Sequence, residues 1–145
     1  MRLVAIQEGG KLEEGVGALP VGAHGVLQAT SQLYRTAGFQ HPWICYVAVT
    51  NDKLVGTCGF KGPPLNGSVE IAYFTFPGYE DKGIATQMAR QLLSIARDAQ
   101  PDVIVTAQTL PERNASHRVL EKLGFSCRGS LQHPEDGLVL EWRKV

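Results

Sequence analysis

The segment from Val69 to Ala85 constrains the fold of this chain more than any other part of its sequence. It reads V-E-I-A-Y-F-T-F-P-G-Y-E-D-K-G-I-A: an apolar strand, a short polar loop, and then a glycine at which an amphipathic helix begins. The first turn of a helix exposes backbone N–H groups and the positive end of the helix dipole, which together favour a phosphate group. Glu70, near the start of the strand, adds a carboxylate. This strand–helix unit therefore predicts chemistry on a phosphate-bearing cofactor.

Length and charge narrow the class of protein. The chain has 145 residues, which predicts a single domain over residues 1–145. Its formal net charge is zero, so no global electrostatic attraction favours nucleic acid or an anionic membrane. No segment approaches the roughly 20 apolar residues of a membrane-spanning helix. The apolar run at the N-terminus is too short for a signal peptide, and we therefore expect a cytoplasmic protein.

The cysteines and histidines predict neither disulfides nor a metal site. The three cysteines are odd in number and have no C-x-x-C spacing, which favours reduced and mostly buried thiols: Cys45, Cys58 and Cys127. The histidines fit no metal-ligand template, and we expect each of them at the surface: His24, His41, His117 and His133.

Periodicity and turn residues predict the element order β-α-β-β-β-α-β-α-β-β. The glycine-rich stretch 8–25 is expected to be mainly loop. Strands are expected over 2–6, 43–50, 54–60, 69–76, 103–109, 125–130 and 138–142, and helices over 22–37, 84–99 and 114–123. This order indicates an α/β protein with one mixed sheet, in which strand 69–76, helix 84–99 and strand 103–109 form a parallel, right-handed βαβ unit.

Two segments of the chain together resemble the GNAT acetyltransferase superfamily. Y-E-D-K-G-I-A-T, at 79–86, resembles its pyrophosphate loop, Q/R-x-x-G-x-G/A. N-A-S-H-R-V-L-E-K-L-G-F, at 114–125, is similar to a late helix of the branch that acetylates N-terminal amines of ribosomal proteins. The resemblance covers about residues 43–142. It implies a central, mostly antiparallel mixed sheet with helices on both faces, and acetyl transfer from acetyl-CoA to a primary amine of a small molecule or of a peptide N-terminus.

The chain departs from the family pattern at three positions. Glu80 stands where the family usually has Arg or Gln, and Lys82 can offset its charge. The usual Asn falls on Arg113, with Asn114 one place later. Leu120 stands where a tyrosine often serves as the general acid, which leaves Tyr73 and Tyr79 as substitutes. A non-catalytic acyl-CoA-binding or sensing domain, and an unrelated phosphate-binding βαβ module, therefore remain alternatives.

Glu70 is the predicted general base, because a half-buried carboxylate can relay a proton from the amine through water. Its spacing of thirteen residues before Gly83 resembles that of the glutamate base in the histone-acetylating branch. The competing interpretation is that Glu70 faces solvent on the strand and pairs with a neighbouring basic residue. The resemblance also makes Ser116 a candidate catalytic contact for the cofactor sulfur.

The predicted contacts of acetyl-CoA follow the strand and the loop. The pantetheine arm should pair with the strand near Phe74–Phe76, where we expect a bulge, and the diphosphate should bind the loop and the helix start. Strand alternation places Phe74 and Phe76 on one face with Glu70. The full predicted set is Phe74, Thr75, Phe76, Asp81, Lys82, Gly83, Ile84, Ala85, Thr86 and Asn114. The acceptor should be chosen by residues 8–42 and 62–67; the sequence is compatible with a homodimer but contains no feature that requires one.

Overall fold

The computed structural model describes residues 1–12, 19, 20 and 22–144, so part of the expected loop 8–25 lies outside the described residues. The described residues form seven strands and three helices, in the predicted order. They are β1 (Arg2–Ala5), α1 (Ala23–Ala37), β2 (Cys45–Thr50), β3 (Lys53–Phe60), β4 (Ser68–Thr75), α2 (Ile84–Ala99), β5 (Ile104–Thr109), α3 (Ala115–Lys122), β6 (Ser126–His133) and β7 (Gly137–Lys144). Among them, no helix is long and apolar enough to cross a membrane.

The strands form one sheet in the order β1-β2-β3-β4-β5-β7-β6. β4 and β5 are parallel and are joined through α2, whereas the other neighbouring strands are antiparallel. The predicted mixed, mostly antiparallel sheet with one βαβ unit is therefore confirmed.

Helices cover both faces of the sheet, as predicted. Gly56 pairs with Thr75, and a Cβ on this glycine would lie 3.0 Å from the side chain of Met88 in α2, so α2 packs closely on this face. On the opposite face, the Tyr34 hydroxyl of α1 donates to Ile6 O at 2.9 Å and accepts from Cys45 N at 2.8 Å. These two hydrogen bonds fix the C-terminal half of α1 against β1 and β2.

β4 and β5 separate part of the way along their length. They pair from Ser68↔Ile104 to Ile71↔Ala107, after which β4 continues only with β3 and β5 only with β7. The expected bulge near Phe74–Phe76 is wrong: the register between β3 and β4 continues unbroken to Gly56↔Thr75. No bulge is needed to open the sheet, because the gap arises where the parallel neighbour diverges.

Local signals set the ends of the last two helices. Gly83 precedes α2 with φ 76°, and Gly124 follows α3 with φ 87°, both in the left-handed region that glycine adopts at little cost. Asn114 caps α3, because its Oδ1 accepts a hydrogen bond of 2.9 Å from Ser116 N. Phe125 packs back on the helix, and its N–H donates to Leu120 O at 2.9 Å. These predictions are confirmed.

One buried polar cluster ties α3 to the C-terminal strands. Trp142 Nε1 donates to Thr109 Oγ1 at 2.9 Å, and the same oxygen lies 3.1 Å from His117 Nε2. His117 Nε2 also lies 2.9 Å from Leu110 O. His117 is only 5% exposed, so its expected place at the surface is wrong. Its ring instead packs edge-on against Trp142, because α3 lies over the ends of β5 and β7.

Candidate functional site

A cleft of about 550 Å³ lies where β4 leaves β5, between the end of β4 and the N-termini of α2 and α3. Three separate segments meet there: 73–75, the loop and helix start 79–86, and one face of α3. The cleft brings together eight of the residues predicted to contact the cofactor or its sulfur: Phe74, Thr75, Asp81, Gly83, Ile84, Ala85, Thr86 and Ser116.

Three predicted cofactor contacts lie outside the lining of this cleft. Phe76 is 1% exposed and belongs to the core, and its backbone N–H donates to Val55 O of β3, away from the free edge of β4. The Lys82 ammonium lies over the Tyr79 ring, 5.8 Å from its centre. Asn114 is occupied as the cap of α3.

The N-terminus of α2 supplies backbone donors to the cleft. Gly83 is the N-cap residue, and no side chain caps the helix. The first intrahelical bond of the series runs from Gln87 N to Gly83 O, so the three preceding amides, of Ile84, Ala85 and Thr86, have no i−4 partner. Thr86 therefore does not cap α2. Its amide and hydroxyl lie at the cleft with the other donors.

Gly83 is required by its backbone conformation. A Cβ at this position would have nothing within 4 Å, but φ is 76°, a backbone angle that residues with a Cβ rarely adopt. Asp81, two residues earlier, also has a positive φ of 62°. The loop thus turns sharply just before the helix, and this turn aims the amides at the cleft.

Sequence reasoning missed two cations on α3. Arg118 and Lys122 line the cleft, and neither forms an ion pair with an acid among the described residues. The signal was present, because residues four apart on a helix share a face. Glu80, the acidic departure from the family pattern, folds back so that its Oε1 accepts the Gly78 N–H at 3.1 Å. These two cations offset the carboxylates of Glu80 and Asp81, which also line the cleft. The uncapped amides of α2 and the positive end of its dipole then favour an anion.

Ser116 and Tyr73 meet at the inner end of the cleft. Burial raises the pKa of the Tyr73 hydroxyl above its ordinary value, and a side-chain hydrogen bond with Ser116 acts in the opposite direction. Tyr73 therefore keeps its proton at neutral pH. Leu120, at the position where the family often has its tyrosine, is fully buried and does not line the cleft.

Glu70 lies on the other face of the sheet, one rung before β4 and β5 separate. Its Oε2 is 2.8 Å from Lys61 Nζ, and its side chain is 25% exposed. Oε2 itself is buried, and the contact with Lys61 lacks the angles of a hydrogen bond, so this oxygen has no hydrogen-bond partner among the described residues. Glu70 is thus half-buried and also paired with a basic residue, Lys61. This arrangement combines the two interpretations drawn from the sequence.

A second cavity, of about 270 Å³, lies on this face between α1 and the sheet. Its floor includes Thr57, Ala72 and Phe74, and Lys61 stands at one side. Tyr73 and Phe74 line both this cavity and the cleft. The two spaces therefore approach each other across β4 where its edge is free.

The chain matches a known family and a curated relative. The model of the "Acetyltransferase (GNAT) domain" family matches residues 21–126. The uncharacterized N-acetyltransferase YjdG of Bacillus subtilis (strain 168) is 35% identical over 91 residues, which are 62% of this chain and 53% of that protein. The chain therefore spans about half the length of this relative.

Solved structures share the fold at low sequence identity. The ribosomal L7/L12 alpha-N-protein acetyltransferase RimL, in complex with coenzyme A, is 15% identical with a TM-score of 0.67, over 85% of this chain and 71% of that chain. The microcin C7 self-immunity acetyltransferase MccE, in complex with acetyl-CoA and AMP, is 16% identical with a TM-score of 0.68, over 85% and 69%. These similarities show the common fold, and the likeness to the ribosomal-protein branch goes no further than that. Since the family model matches more than half of the sequence, the chain belongs to the GNAT acetyltransferase domain family.

Proposed function

We propose that this chain, as a single domain, transfers the acetyl group of acetyl-CoA to a primary amine by direct attack of the amine on the thioester. The observation that carries the proposal is the convergence, in one cleft, of uncapped helix amides and a free strand edge. The solved relatives RimL and MccE are described as complexes with coenzyme A and acetyl-CoA.

The cleft has the donors that each part of the substrate needs. The amides of Ile84, Ala85 and Thr86 bind the diphosphate, helped by the dipole of α2. Arg118 and Lys122 add positive charge from α3. The pantetheine arm, which contains amide groups of its own, pairs with the free edge of β4. This arrangement directs the thioester toward Tyr73 and Phe74, which border both spaces.

The reaction then needs a neutral amine and a protonated leaving thiolate. Glu70, on the face that the second cavity occupies, accepts the proton of the incoming ammonium, directly or through water. The amine nitrogen attacks the carbonyl carbon, and the C–S bond breaks. Ser116 hydrogen-bonds the sulfur, and Tyr73 gives its proton to the leaving thiolate. The proton that the nitrogen loses as the amide forms passes through water to the Tyr73 phenolate and restores its hydroxyl. Holding the amine and the thioester next to each other in reacting positions supplies a large part of the rate enhancement.

The substitution Glu70→Gln tests the enzyme assignment. Binding of acetyl-CoA, measured by calorimetry, should be unchanged because Glu70 does not line the cleft. Turnover over a panel of amines at neutral pH should fall by about 100-fold or more. The loss should be smallest at high pH, where the amine is already neutral.

Glu135→Gln is the matched control, since this exposed residue lies in the turn between β6 and β7. It should leave both affinity and turnover unchanged. An unchanged rate for Glu70→Gln at neutral pH would remove Glu70 from the mechanism. Tight binding of acetyl-CoA without transfer to any amine would instead favour the sensing domain.

A further inference from the structure

We propose that the cavity beneath α1 binds a compact apolar group attached to the acceptor amine, so that the preferred acceptor is a monoamine with an aliphatic or single-ring substituent. This inference rests on the proposed function, because it names the class of substrate for the same site. The cavity lies on the face of the sheet opposite the cleft, between the N-terminal half of α1 and strands β3 and β4.

The walls of the cavity are predominantly apolar. Val26 and Leu33 of α1 face Ala72 and Phe74 of β4 across it. Phe74 is 52% exposed, which is unusual for a residue of its size in a central strand and leaves its ring available to a ligand. The Thr57 hydroxyl, in the floor, already donates to Tyr46 O at 3.0 Å. An apolar group would therefore displace water without leaving this hydroxyl unpaired.

The charges at the cavity exclude a second ammonium group. Lys61 is the ionised residue of the described lining, and its ammonium is held by Glu70 at 2.8 Å. The described lining contains no carboxylate, so the cavity offers nothing to a further positive charge. Burying an uncompensated ammonium is costly. Diamines, polyamines and basic peptides should therefore be poor acceptors.

The size and position of the cavity define how such an acceptor lies. At about 270 Å³ it is just below the usual range of about 300–1,000 Å³ for sites that hold drug-sized ligands. It therefore fits a branched aliphatic chain or one aromatic ring. Glu70 lies two residues before Ala72 on the same face of β4, so an amine beside Glu70 projects its substituent over Ala72 into the cavity.

Competition between matched acceptors tests the preference. With acetyl-CoA saturating, kcat/KM for 3-methylbutylamine should exceed that for 1,4-diaminobutane by about tenfold or more, since one or two buried carbon groups discriminate on that scale. In the same way, kcat/KM should be higher for peptides that begin with Leu than for peptides that begin with Lys or Asp. Comparing the free amines with the peptides shows whether the apolar group belongs to a small amine or to the first residue of a peptide. Equal rates for charged and apolar members of both series would overturn the proposal.

A binding measurement tests the cavity without depending on catalysis. The reaction product N-acetyl-3-methylbutylamine should bind the protein with coenzyme A present, and Ala72→Trp, which fills the floor with a ring, should weaken that binding about tenfold or more. Coenzyme A affinity should stay unchanged. Ala29→Trp fills the cavity from the exposed side of α1 and provides a second variant should the first fail to fold.

Leu65→Trp is the matched control, because Leu65 is 74% exposed and lies outside the cavity. It should leave product binding unchanged. Unaltered product binding in folded Ala72→Trp and Ala29→Trp would overturn the inference even if acetyl transfer occurs. Failure of the chain to bind coenzyme A would instead remove the proposed function, a result that is separate from the selectivity of the cavity.

Discussion

Ile71 pairs with Ala107 at the last rung that joins β4 to β5, and beyond this rung one edge of β4 is free of β5. The backbone N–H of Phe76 donates to Val55 O, so in an antiparallel ladder Phe74 also directs its backbone groups to β3. Tyr73 and Thr75 therefore direct theirs into the gap. The divergence of one parallel strand pair thus provides the donors and acceptors that an amide-containing ligand requires.

Thr75→Pro should weaken binding of coenzyme A, because proline removes one N–H from the free edge without removing a ladder bond to β3. We expect a loss of about 1 kcal/mol of binding free energy, measured by calorimetry. Phe74→Pro is the control on the same strand. It removes a bond to β3 and should lower the free energy of unfolding much more than Thr75→Pro does. Equal destabilisation by both substitutions would contradict the assigned direction of the N–H groups.

Gly83→Ala should lower the free energy of unfolding by about 1 kcal/mol, because a Cβ is disfavoured at φ 76°. It should also weaken coenzyme A binding, because relaxing φ turns the α2 amides away from the cleft. Gly137→Ala is a matched control with φ 75° and equally open surroundings. In urea titrations the two variants should lose similar stability, and only the first should lose affinity. A loss of affinity in both would indicate a general effect of stability.

Arg118→Ala and Lys122→Ala should each reduce coenzyme A affinity several-fold at low ionic strength. The reduction should shrink as salt is added, because screening weakens the attraction between these cations and phosphate. Arg128→Ala, on the exposed strand β6, is the control and should have no effect. Calorimetry over a range of salt concentrations measures both quantities. A salt-independent loss would indicate that the two side chains act through packing.

The protein should lose stability at alkaline pH through groups buried on the two faces of β2. Burial raises the pKa of Cys45 from 9.0 to about 11 and that of Tyr46 from 10.0 to about 12. Because each folded-state pKa is raised, its contribution is complete below the unfolded value and is lost as pH rises through the folded value. The free energy of unfolding should therefore begin to fall above pH 9.

Tyr46→Phe isolates one part of this dependence. The phenol donates to Pro42 O at 2.7 Å, so the variant should be less stable by about 1 kcal/mol at neutral pH. Between pH 10 and 12 its stability should fall less steeply than that of the unmodified protein. A slope unaffected by Tyr46→Phe would contradict the assigned cause.

The elements that the sequence predicted correctly are those encoded by local signals. Helix 84–99 agrees with α2 at both ends, because Gly83 and Pro101 bound an uninterrupted apolar face. Asn114 and Gly124 likewise mark the two ends of α3. The final hairpin extends further than predicted, over β6 and β7 up to the turn 134–136, because its strands are exposed and its polar residues resemble a loop.

Much of the candidate site depends on contacts between distant segments, which local patterns do not contain. His117 looks like a surface residue until Trp142 and Thr109 are brought beside it. Arg118 and Lys122 can be recognised as residues of the cleft only when α3 is placed next to the start of α2. The predicted pairing of the pantetheine arm includes Phe76, but its side chain is 1% exposed and its N–H bonds to β3, which the local pattern does not reveal.

The hydrogen bonds among Thr109, His117 and Trp142 connect the C-terminal hairpin with α3. His117 lies between Ser116 and Arg118 in sequence, and both of these line the cleft. The C-terminal hairpin, through Trp142, therefore holds one wall of the cleft from outside it. Truncation of that hairpin, or a substitution in its inner strand, should weaken binding of coenzyme A before it unfolds the protein.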